Sequence, residues 1–425
     1  MKISTKKIIR MCVFLSIYTC SFDIFGNITI AGFNFRFCQF IILPAMLLML
    51  FSVVRSGSVR LCLGLNYLLI WLAFQIIFMI RSPELENTLG YVLWLCFNIM
   101  TVYLIYYFAG TAYTIEELIK NYLNSFFGMA VLGLVQFFIY FLGIDFYVAQ
   151  YWNRSLIRIN GFSYEPSYYA TYMLLGFVAY AYLIEKKDKN IMNRKELLIK
   201  FIVIIAVMIL SSSRMGWLMM AVWIVTRSVH LMVQFVKMGK LTQFKAFYLF
   251  LLFPAAVLGA FIIWDKLLKN GALSFMLDGL GLYGKSSHSA TGRLNGLLRS
   301  IEIFKTNPWF GVSLGGVDPV TMQYMRAQYE TGVNGKASSI IGELLVANGI
   351  VGMIPFLLYM KTLLCKAQWW EKNFKRYSLA YVYKAMEWSL IFELAILCFN
   401  QNILRIYLWV HIGVICALYK EMKMH

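Results

Sequence analysis

Long apolar runs separated by short polar segments make up most of this sequence. A helix that crosses a bilayer core about 30 Å thick needs about 20 apolar residues, and about twelve runs approach that length. The predicted spans are Ile8–Phe25, Phe37–Val54, Leu61–Ile80, Leu89–Ala109, Tyr122–Leu142, Pro166–Ile184, Leu197–Ser211, Gly216–Val236, Phe247–Trp264, Ile340–Leu364, Ala380–Phe399 and Ile403–Tyr419. The first run has the basic flank of a signal peptide but no small-residue cleavage site, so we count it as a span. The pattern predicts an all-α, polytopic transmembrane helical bundle.

One segment between the predicted spans is far longer than the others. Asp265–Ser338 contains 74 residues, and structureless stretches of that length are uncommon. We therefore expect a folded element there and a functional role for it. The segment divides the chain into residues 1–264 with nine spans, the long segment 265–338, and residues 339–425 with three spans.

An amphipathic helix is predicted inside this segment, between Thr291-Gly292 and Asn307-Pro308. Apolar residues recur there at spacings of three and four positions, at Leu294, Leu297, Leu298, Ile301 and Phe304. The helix either lies on the membrane surface or roofs a cavity in the outer leaflet into which Arg293 or Arg299 points, and the two placements are compatible. A tight and mobile turn is predicted next, at Gly311, Gly315 and Gly316.

Composition excludes a soluble protein, and charge sets the expected orientation. Apolar residues are 60% and charged residues 14% of the chain, with a mean hydropathy of +0.68. Soluble domains have about 45–50% apolar and about 25% charged residues. The net charge of +19 is mainly topological, because 25 of the 39 Lys and Arg residues fall in alternate segments that include both ends of the chain. By the positive-inside rule both termini are cytoplasmic and 265–338 is outside. No nucleic-acid partner is needed to explain the charge.

Charged residues at the predicted outer ends of the spans are the candidates for chemistry. Arg154 and Arg158 precede Glu165-Pro166, where Pro166 is placed to be the first helical residue of the sixth span. Glu165 either stabilises the dipole of that helix or serves as a general base beside the two arginines. Arg214 follows three serines in a very tight turn, and it either snorkels to the interface or binds an anion.

The outer arginines come from four places in the sequence. They are Arg154 with Arg158, Arg214, Arg293 with Arg299, and Arg405, and their polar neighbours are Glu165, Glu343 and Asn400. A guanidinium fork suits phosphate oxygens, so a cluster at headgroup depth predicts a lipid-linked phosphate or diphosphate as ligand. The sequence has no Walker or dinucleotide fingerprint, which argues against an ATP or nucleotide-sugar enzyme. Its four histidines are too scattered to build a metal site.

Several motifs resemble those of the O-antigen polymerase (Wzy-type) and O-antigen ligase superfamily. They are Phe162-Ser163-Tyr164-Glu165-Pro166-Ser167, Ser213-Arg214-Met215-Gly216, Thr291-Gly292-Arg293-Leu294, Asn307-Pro308-Trp309-Phe310-Gly311 and Gly342-Glu343-Leu344-Leu345-Val346-Ala347-Asn348-Gly349-Ile350-Val351-Gly352. Each motif is weak alone, but their order around one long outer segment makes the resemblance fairly specific. It covers residues 160–360 by motif.

The resemblance implies a GT-C-like glycosyltransferase of the bacterial inner membrane that works at the outer face without nucleotide or metal. The polymerase joins undecaprenyl-diphosphate-linked oligosaccharide repeat units, and the ligase transfers the glycan to lipid A-core. Besides these lipids, it allows a chain-length regulator and a flippase as partners. The resemblance carries Arg214 and Arg293 over as catalytic arginines, whereas charge placement adds Arg154, Arg158 and Arg299.

One departure from the family favours a polymerase. Ligases, and many relatives, tend to carry a histidine just before the helix that here begins at Ser339, and this chain has Lys336-Ala337-Ser338. The general base is then Glu165, our preferred candidate, or His288. The alternatives to a polymerase are an O-antigen ligase and a flippase or transporter for lipid-linked oligosaccharides. Transporter folds commonly have paired halves and binding groups near the membrane midplane, whereas polar residues here concentrate at one face.

Overall fold

A computed structural model describes residues 4–30, 33–152, 156–187, 191–237, 287–328, 339–373, 379–399 and 403–424. The α-helices of this part of the chain are α1 Thr5–Thr19, α2 Phe37–Ser56, α3 Leu65–Phe78, α4 Leu85–Phe108, α5 Ile115–Tyr140, α6 Pro166–Glu185, α7 Arg194–Leu210, α8 Arg214–Lys237, α9 Ser287–Thr306, α10 Val317–Ala327, α11 Ile340–Asn373, α12 Ala380–Leu397 and α13 Ile406–Met424. Short 3-10 helices lie at Met79–Arg81 and Leu314–Gly316. Two antiparallel pairs complete the fold, β1 Ile28–Ile30 with β2 Phe33–Phe35, and β3 Gln150–Trp152 with β4 Leu156–Arg158.

Each predicted span that the structure describes overlaps one α-helix, with ends that differ by up to nine residues, whereas α9 and α10 lie in the predicted outer segment. The ninth span, Phe247–Trp264, lies outside the described residues. Among the described residues, six helices, α2, α4, α5, α6, α8 and α11, are long and apolar enough to cross a membrane. These helices, and the small amount of sheet in the described part of the chain, support a helical membrane protein, while the count of twelve spans and the GT-C fold stay predictions.

Local sequence signals explain where several helices begin. Pro166 is the first residue of α6, as predicted from its fixed backbone angle. Thr114 and Glu117 form a capping box at α5, in which each side chain accepts a hydrogen bond from the other residue's backbone amide. Asn193 caps α7 by accepting from the amide of Glu196. These caps satisfy amides that a helix start leaves unbonded.

Contacts between helix ends and the segments that connect the helices define the two ends of the bundle. At one end, which carries β3 and β4 and which we call the hairpin end, the Asp23 amide donates to the Phe162 carbonyl at 2.8 Å. The turn between α7 and α8 also lies there, because the amide of Ile159 donates to the Leu210 carbonyl. At the opposite end Arg10 pairs with Glu117 at 2.8 Å. The charge distribution predicts that the hairpin end faces outwards.

The centre of the bundle is built around α6, which packs against α5, α7, α8 and α12. Its tyrosines Tyr169, Tyr172 and Tyr180 are fully buried. The helices approach closely at Gly176, where a Cβ atom would lie 2.6 Å from the Phe126 ring. Large apolar side chains on the outer helices are instead exposed, such as those of Phe51 and Val54, as expected of a surface covered by lipid.

Helix α11 is broken at Gly349, and the segment Pro308–Ser313 fills the break. Gly349 has φ 56° and ψ −169°, a conformation that is essentially restricted to glycine. Beyond the break, the amides of Ile350 and Val351 donate to the carbonyls of Pro308 and Trp309. Before the break, the carbonyls of Val346 and Ala347 accept from the amides of Val312 and Ser313, at 3.2 and 3.0 Å. Irregular backbone next to a membrane helix is tolerated where it is buried and bonded in this way.

The glycines after α9 pack tightly, contrary to the mobile turn that the sequence predicts. A Cβ atom at Gly311 would lie 1.9 Å from the Ala347 carbonyl oxygen, and one at Gly315 would lie 2.5 Å from Thr88. Gly311, Gly315 and Gly316 are all buried. The prediction of mobility is wrong because these glycines permit close backbone contact with α11 and α4.

Helix α9 begins at Ser287, somewhat before the predicted start, and ends at Thr306, where the sequence predicts it. Its packed face contains Gly296, Ser300 and Ile303. Ser300 lies so close to α11 that a Cβ atom at Gly342 would be 2.6 Å from the Ser300 Oγ. The predicted apolar stripe points elsewhere, since Leu294 and Leu298 are 57% and 50% exposed. The leucines are therefore accessible to lipid, which is compatible with a membrane-surface helix.

Candidate functional site

The turn between α7 and α8 presents Arg214 at the hairpin end. Ser213 precedes α8, and its Oγ accepts a hydrogen bond from the Gly216 amide at 3.4 Å, the geometry of an N-cap. Gly216 allows the first turn of α8 to approach α6, because a Cβ atom there would lie 3.0 Å from the Cβ of Ala170. Arg214 is the first residue of α8 and is half-buried. It therefore lies at a helix N-terminus, where the unbonded amides and the dipole favour an anion.

Arg158, on β4, reaches the same turn. Its Nε donates to the Ser211 carbonyl at 3.3 Å and its Nη2 to the Ser212 carbonyl at 2.9 Å. Its Nη1 donates to the Oε1 of Gln150 at 2.6 Å. Burial lowers the pKa of the Arg158 guanidinium, the charge of Arg214 lowers it further, and the charge of Glu165 raises it. Arg158 therefore lies within electrostatic range of both Arg214 and Glu165.

Glu165 lies at the N-cap position of α6 and is exposed. Its Oε2 accepts a hydrogen bond from the hydroxyl of Ser167 at 3.0 Å. A general base gains from partial burial, whereas this carboxylate is exposed. The structure therefore brings Glu165 near Arg158 and leaves it open to solvent or substrate.

Arg405 occupies a buried charge cluster that the sequence did not reveal. Its Nη1 lies 3.1 and 3.0 Å from the two carboxylate oxygens of Asp23, and Arg36 contacts the same carboxylate at 3.2 Å. The Arg405 guanidinium also lies over the ring of Tyr168, 3.8 Å from its centroid. Asp23, Arg36 and Arg405 are all at most 6% exposed. The substrate-binding role of Arg405 stays a prediction, and these contacts favour a structural role.

A second group of predicted residues lies around the start of α11. Glu343 is buried, and its Oε2 accepts a hydrogen bond from the Ile403 amide at 3.3 Å. Tyr91, on α4, lies within electrostatic range of both Glu343 and Asp318. Arg299, on α9, is half-buried. Helix α12 packs against α6 and α8, which carry the first group, and also against α11.

Four predicted residues have no described side chain. Arg154 and Asn400 lie outside the described residues, whereas His288 and Arg293 belong to α9 but their side chains lie outside the description. Their predicted roles stay predictions.

Sequence reasoning missed Asp23, Arg36 and the polar junction at Asn348. Asp23 lies at the end of the first apolar run, and an acidic residue in that position is a signal, because charges near a membrane span need partners. The side chain of Asn348 accepts from Trp71 Nε1 and Gln75 Nε2, both at 2.6 Å. A single asparagine within an apolar helix is a weaker signal, since most such residues form hydrogen bonds between helices.

Comparison with known proteins gives one family match. Residues 198–357 match the family model for O-antigen ligase (Wzy_C). The O-antigen ligase match covers α7 to the middle of α11 and includes Arg214, Arg293, Arg299 and Glu343, but neither Arg158 nor Glu165. It supports the O-antigen polymerase/ligase superfamily and a coarse role as a glycosyltransferase-like enzyme on lipid-linked glycans, without distinguishing polymerase from ligase. No curated protein matches the chain significantly.

Proposed function

We propose that this protein is a glycosyltransferase of the bacterial inner membrane that polymerises undecaprenyl-diphosphate-linked oligosaccharide repeat units at the hairpin end. The observation that carries the proposal is the position of Arg214 at the N-terminus of α8, inside the region that matches O-antigen ligase, with Arg158 beside it on the same turn. A guanidinium group at a helix N-terminus suits a diphosphate. With the predicted orientation, this site lies at the outer headgroup level and both termini are cytoplasmic.

The proposed reaction transfers a glycan from one lipid diphosphate to a sugar hydroxyl. The hydroxyl oxygen attacks the anomeric carbon of the donor, and the bond from that carbon to the diphosphate oxygen breaks. The leaving diphosphate keeps the electron pair, and Arg214 with Arg293 stabilises its growing negative charge. Glu165 accepts the hydroxyl proton, which its exposed carboxylate at the start of α6 can reach without displacing a buried contact.

A polymerase is our first choice and a ligase our second. The sequence Lys336-Ala337-Ser338 has no histidine where ligases tend to have one, which favours the polymerase. The family match is compatible with both enzymes. The two enzymes use the same donor chemistry and differ in the acceptor, so they share the proposed diphosphate site.

The direct test supplies purified protein with a lipid-diphosphate-linked repeat unit, alone or with lipid A-core. Glycans longer than one unit, together with free undecaprenyl diphosphate, are expected for a polymerase. Transfer to lipid A-core without chain growth would identify a ligase. Absence of product under both conditions contradicts the proposed glycosyltransferase.

Variants test the residues. Arg214→Ala and Arg214→Lys are both expected to lower the rate about 10²-fold or more, because a lysine cannot reproduce the guanidinium fork. Arg81→Ala is the matched control, since Arg81 is exposed at the same end of the bundle and stacks on Phe310. Full-length glycan ladders from Arg214→Ala would exclude the proposed role of that residue.

A further inference from the structure

The turn that presents Arg214 has a conformation that the chain does not favour by itself. Ser212 has φ 48°, in the left-handed region that costs a non-glycine residue about 1 kcal/mol or more. At the end of α7 the Val207 and Ile209 carbonyls accept from the amides of Ser211 and Ser212, whereas the Leu210 carbonyl accepts from outside the helix, from the Ile159 amide. A turn of this kind needs support from elsewhere in the protein.

Arg158 supplies that support with its whole guanidinium group. Two of its nitrogens donate to the consecutive carbonyls of Ser211 and Ser212, and the third donates to Gln150. The residue that follows the strand extends the contact, because the Ile159 amide donates to the Leu210 carbonyl at 3.3 Å. The turn is therefore held to the end of β4 and the residue after it by three hydrogen bonds, two of them from a charged donor, which are the stronger kind.

Arg158 is itself fixed in place. Gln150 lies directly opposite Arg158 in the β3–β4 register, so the side chain that binds its Nη1 comes from the paired strand. Two residues further on, the amides of Asn160 and Gly161 donate to the buried Oε1 of Gln136 on α5, at 3.1 and 3.0 Å. The chain of contacts runs from α5 through β4 to the start of α8.

We infer that Arg158 is a positioning residue, which fixes the Ser211–Ser213 turn and through it the direction of Arg214, and does not bind the substrate itself. This inference rests on the proposed function. It differs from the prediction from charge placement, in which Arg158 is a phosphate ligand. Of the five N–H groups of the guanidinium, three bond to protein acceptors and fix its direction, so turning it to grip a diphosphate would break the bonds that support the turn.

Ser212 offers a way to separate the two roles. Glycine adopts the conformation of Ser212 without steric cost, so Ser212→Gly should let the turn form with less support. If Arg158 positions the turn, Ser212→Gly will partly restore the activity that Arg158→Ala removes. If Arg158 binds substrate, a change in the turn cannot replace it.

The kinetic test measures kcat and KM for the lipid-linked donor in Arg158→Ala, Arg158→Lys, Ser212→Gly and the Arg158→Ala/Ser212→Gly double variant. For Arg158→Ala we expect kcat to fall about 10-fold to 10²-fold, as a misplacement of about 1 Å can cause, with KM changed less than about 3-fold. Arg158→Lys should resemble Arg158→Ala because lysine cannot span two carbonyls, and the double variant should recover at least about 3-fold in kcat. A raised KM with kcat intact, or no recovery in the double variant, would overturn the inference.

A second measurement does not depend on activity. Hydrogen exchange of the segment 207–217 in the detergent-solubilised protein should become faster in Arg158→Ala, return towards wild type in the double variant, and stay unchanged in Arg81→Ala. Unchanged exchange in Arg158→Ala would refute the positioning role. If the wild-type protein makes no glycan at all, the proposed function fails while the exchange result still decides whether Arg158 holds the turn.

Discussion

Replacing Asn348 by alanine should destabilise the protein more than its single hydrogen-bonding side chain suggests. Asn348 lies immediately before the break in α11 and is completely buried. Its Oδ1 accepts from Trp71 and Gln75, which are also completely buried, and its Nδ2 donates to the Leu344 carbonyl at 2.7 Å. The variant therefore leaves two buried donors without an acceptor.

The size of the effect follows from those two donors. Each buried donor left without an acceptor lowers stability by about 1–3 kcal/mol. A hydrogen bond between membrane helices stabilises a protein by about 0.6 kcal/mol on average, with a maximum near 1.7 kcal/mol. We therefore expect the free energy of unfolding of Asn348→Ala to fall by about 2–4 kcal/mol. Equilibrium unfolding in mixed micelles measures it, with Asn66→Ala, an exposed position on α3, as control.

A double-mutant cycle shows whether the reasoning is correct. In Trp71→Phe the indole donor is removed together with its need for an acceptor, so Asn348→Ala should cost about 1 kcal/mol less in that background. A loss for Asn348→Ala that does not exceed the control, or strictly additive effects in the cycle, would refute the proposed junction.

Three further predictions concern other parts of the structure. Gly311→Ala should lower the yield of folded protein or cost about 1–3 kcal/mol in the same unfolding assay, because its Cβ would overlap the Ala347 carbonyl. Asp23→Asn should cost about 3–5 kcal/mol by leaving buried guanidinium groups without their carboxylate, whereas Lys305→Ala, which breaks an exposed pair, should change stability by less than about 1 kcal/mol. Glu165→Gln should remove glycan transfer without lowering stability, and retained polymerisation by this variant would exclude Glu165 as the base.

Hydropathy predicted the helices well because an apolar segment in a membrane must form all its backbone hydrogen bonds within itself, which an α-helix does. The start of α6 at Pro166 and the short turn before Arg214 both follow from local sequence. The packed face of α9 does not, because Leu294 and Leu298 are as suited to lipid as to a protein core. The small residues Gly296 and Ser300 determine that face by allowing close approach, which apolar periodicity does not detect.

The sequence allowed the residues of the candidate site to be predicted, but not the contacts that each residue makes. Sequence reasoning grouped Arg158, Arg214 and Glu165 by their predicted membrane depth, and the structure places Arg158 within electrostatic range of the other two. It could not predict that Arg158 bonds to carbonyls of the turn, because every residue has a backbone carbonyl and the sequence does not show which of them accepts a hydrogen bond. Arg405 illustrates the same limit, since its partner Asp23 lies at the far end of the sequence.

The arginines at the hairpin end therefore act at two levels. Arg36 and Arg405 hold α2, α13 and the segment after α1 together through one carboxylate, and this buried cluster carries a net charge of one positive unit beside Tyr168 in the first turn of α6. Because buried charge is weakly screened, the cluster contributes a positive potential at the start of α6. If Arg214 binds the diphosphate as proposed, neutralising the cluster should weaken that binding by a field effect, whereas replacing Arg214 should remove a direct contact. The two effects are then separable by salt, because the half-buried Arg214 is screened more strongly at high ionic strength than the buried cluster.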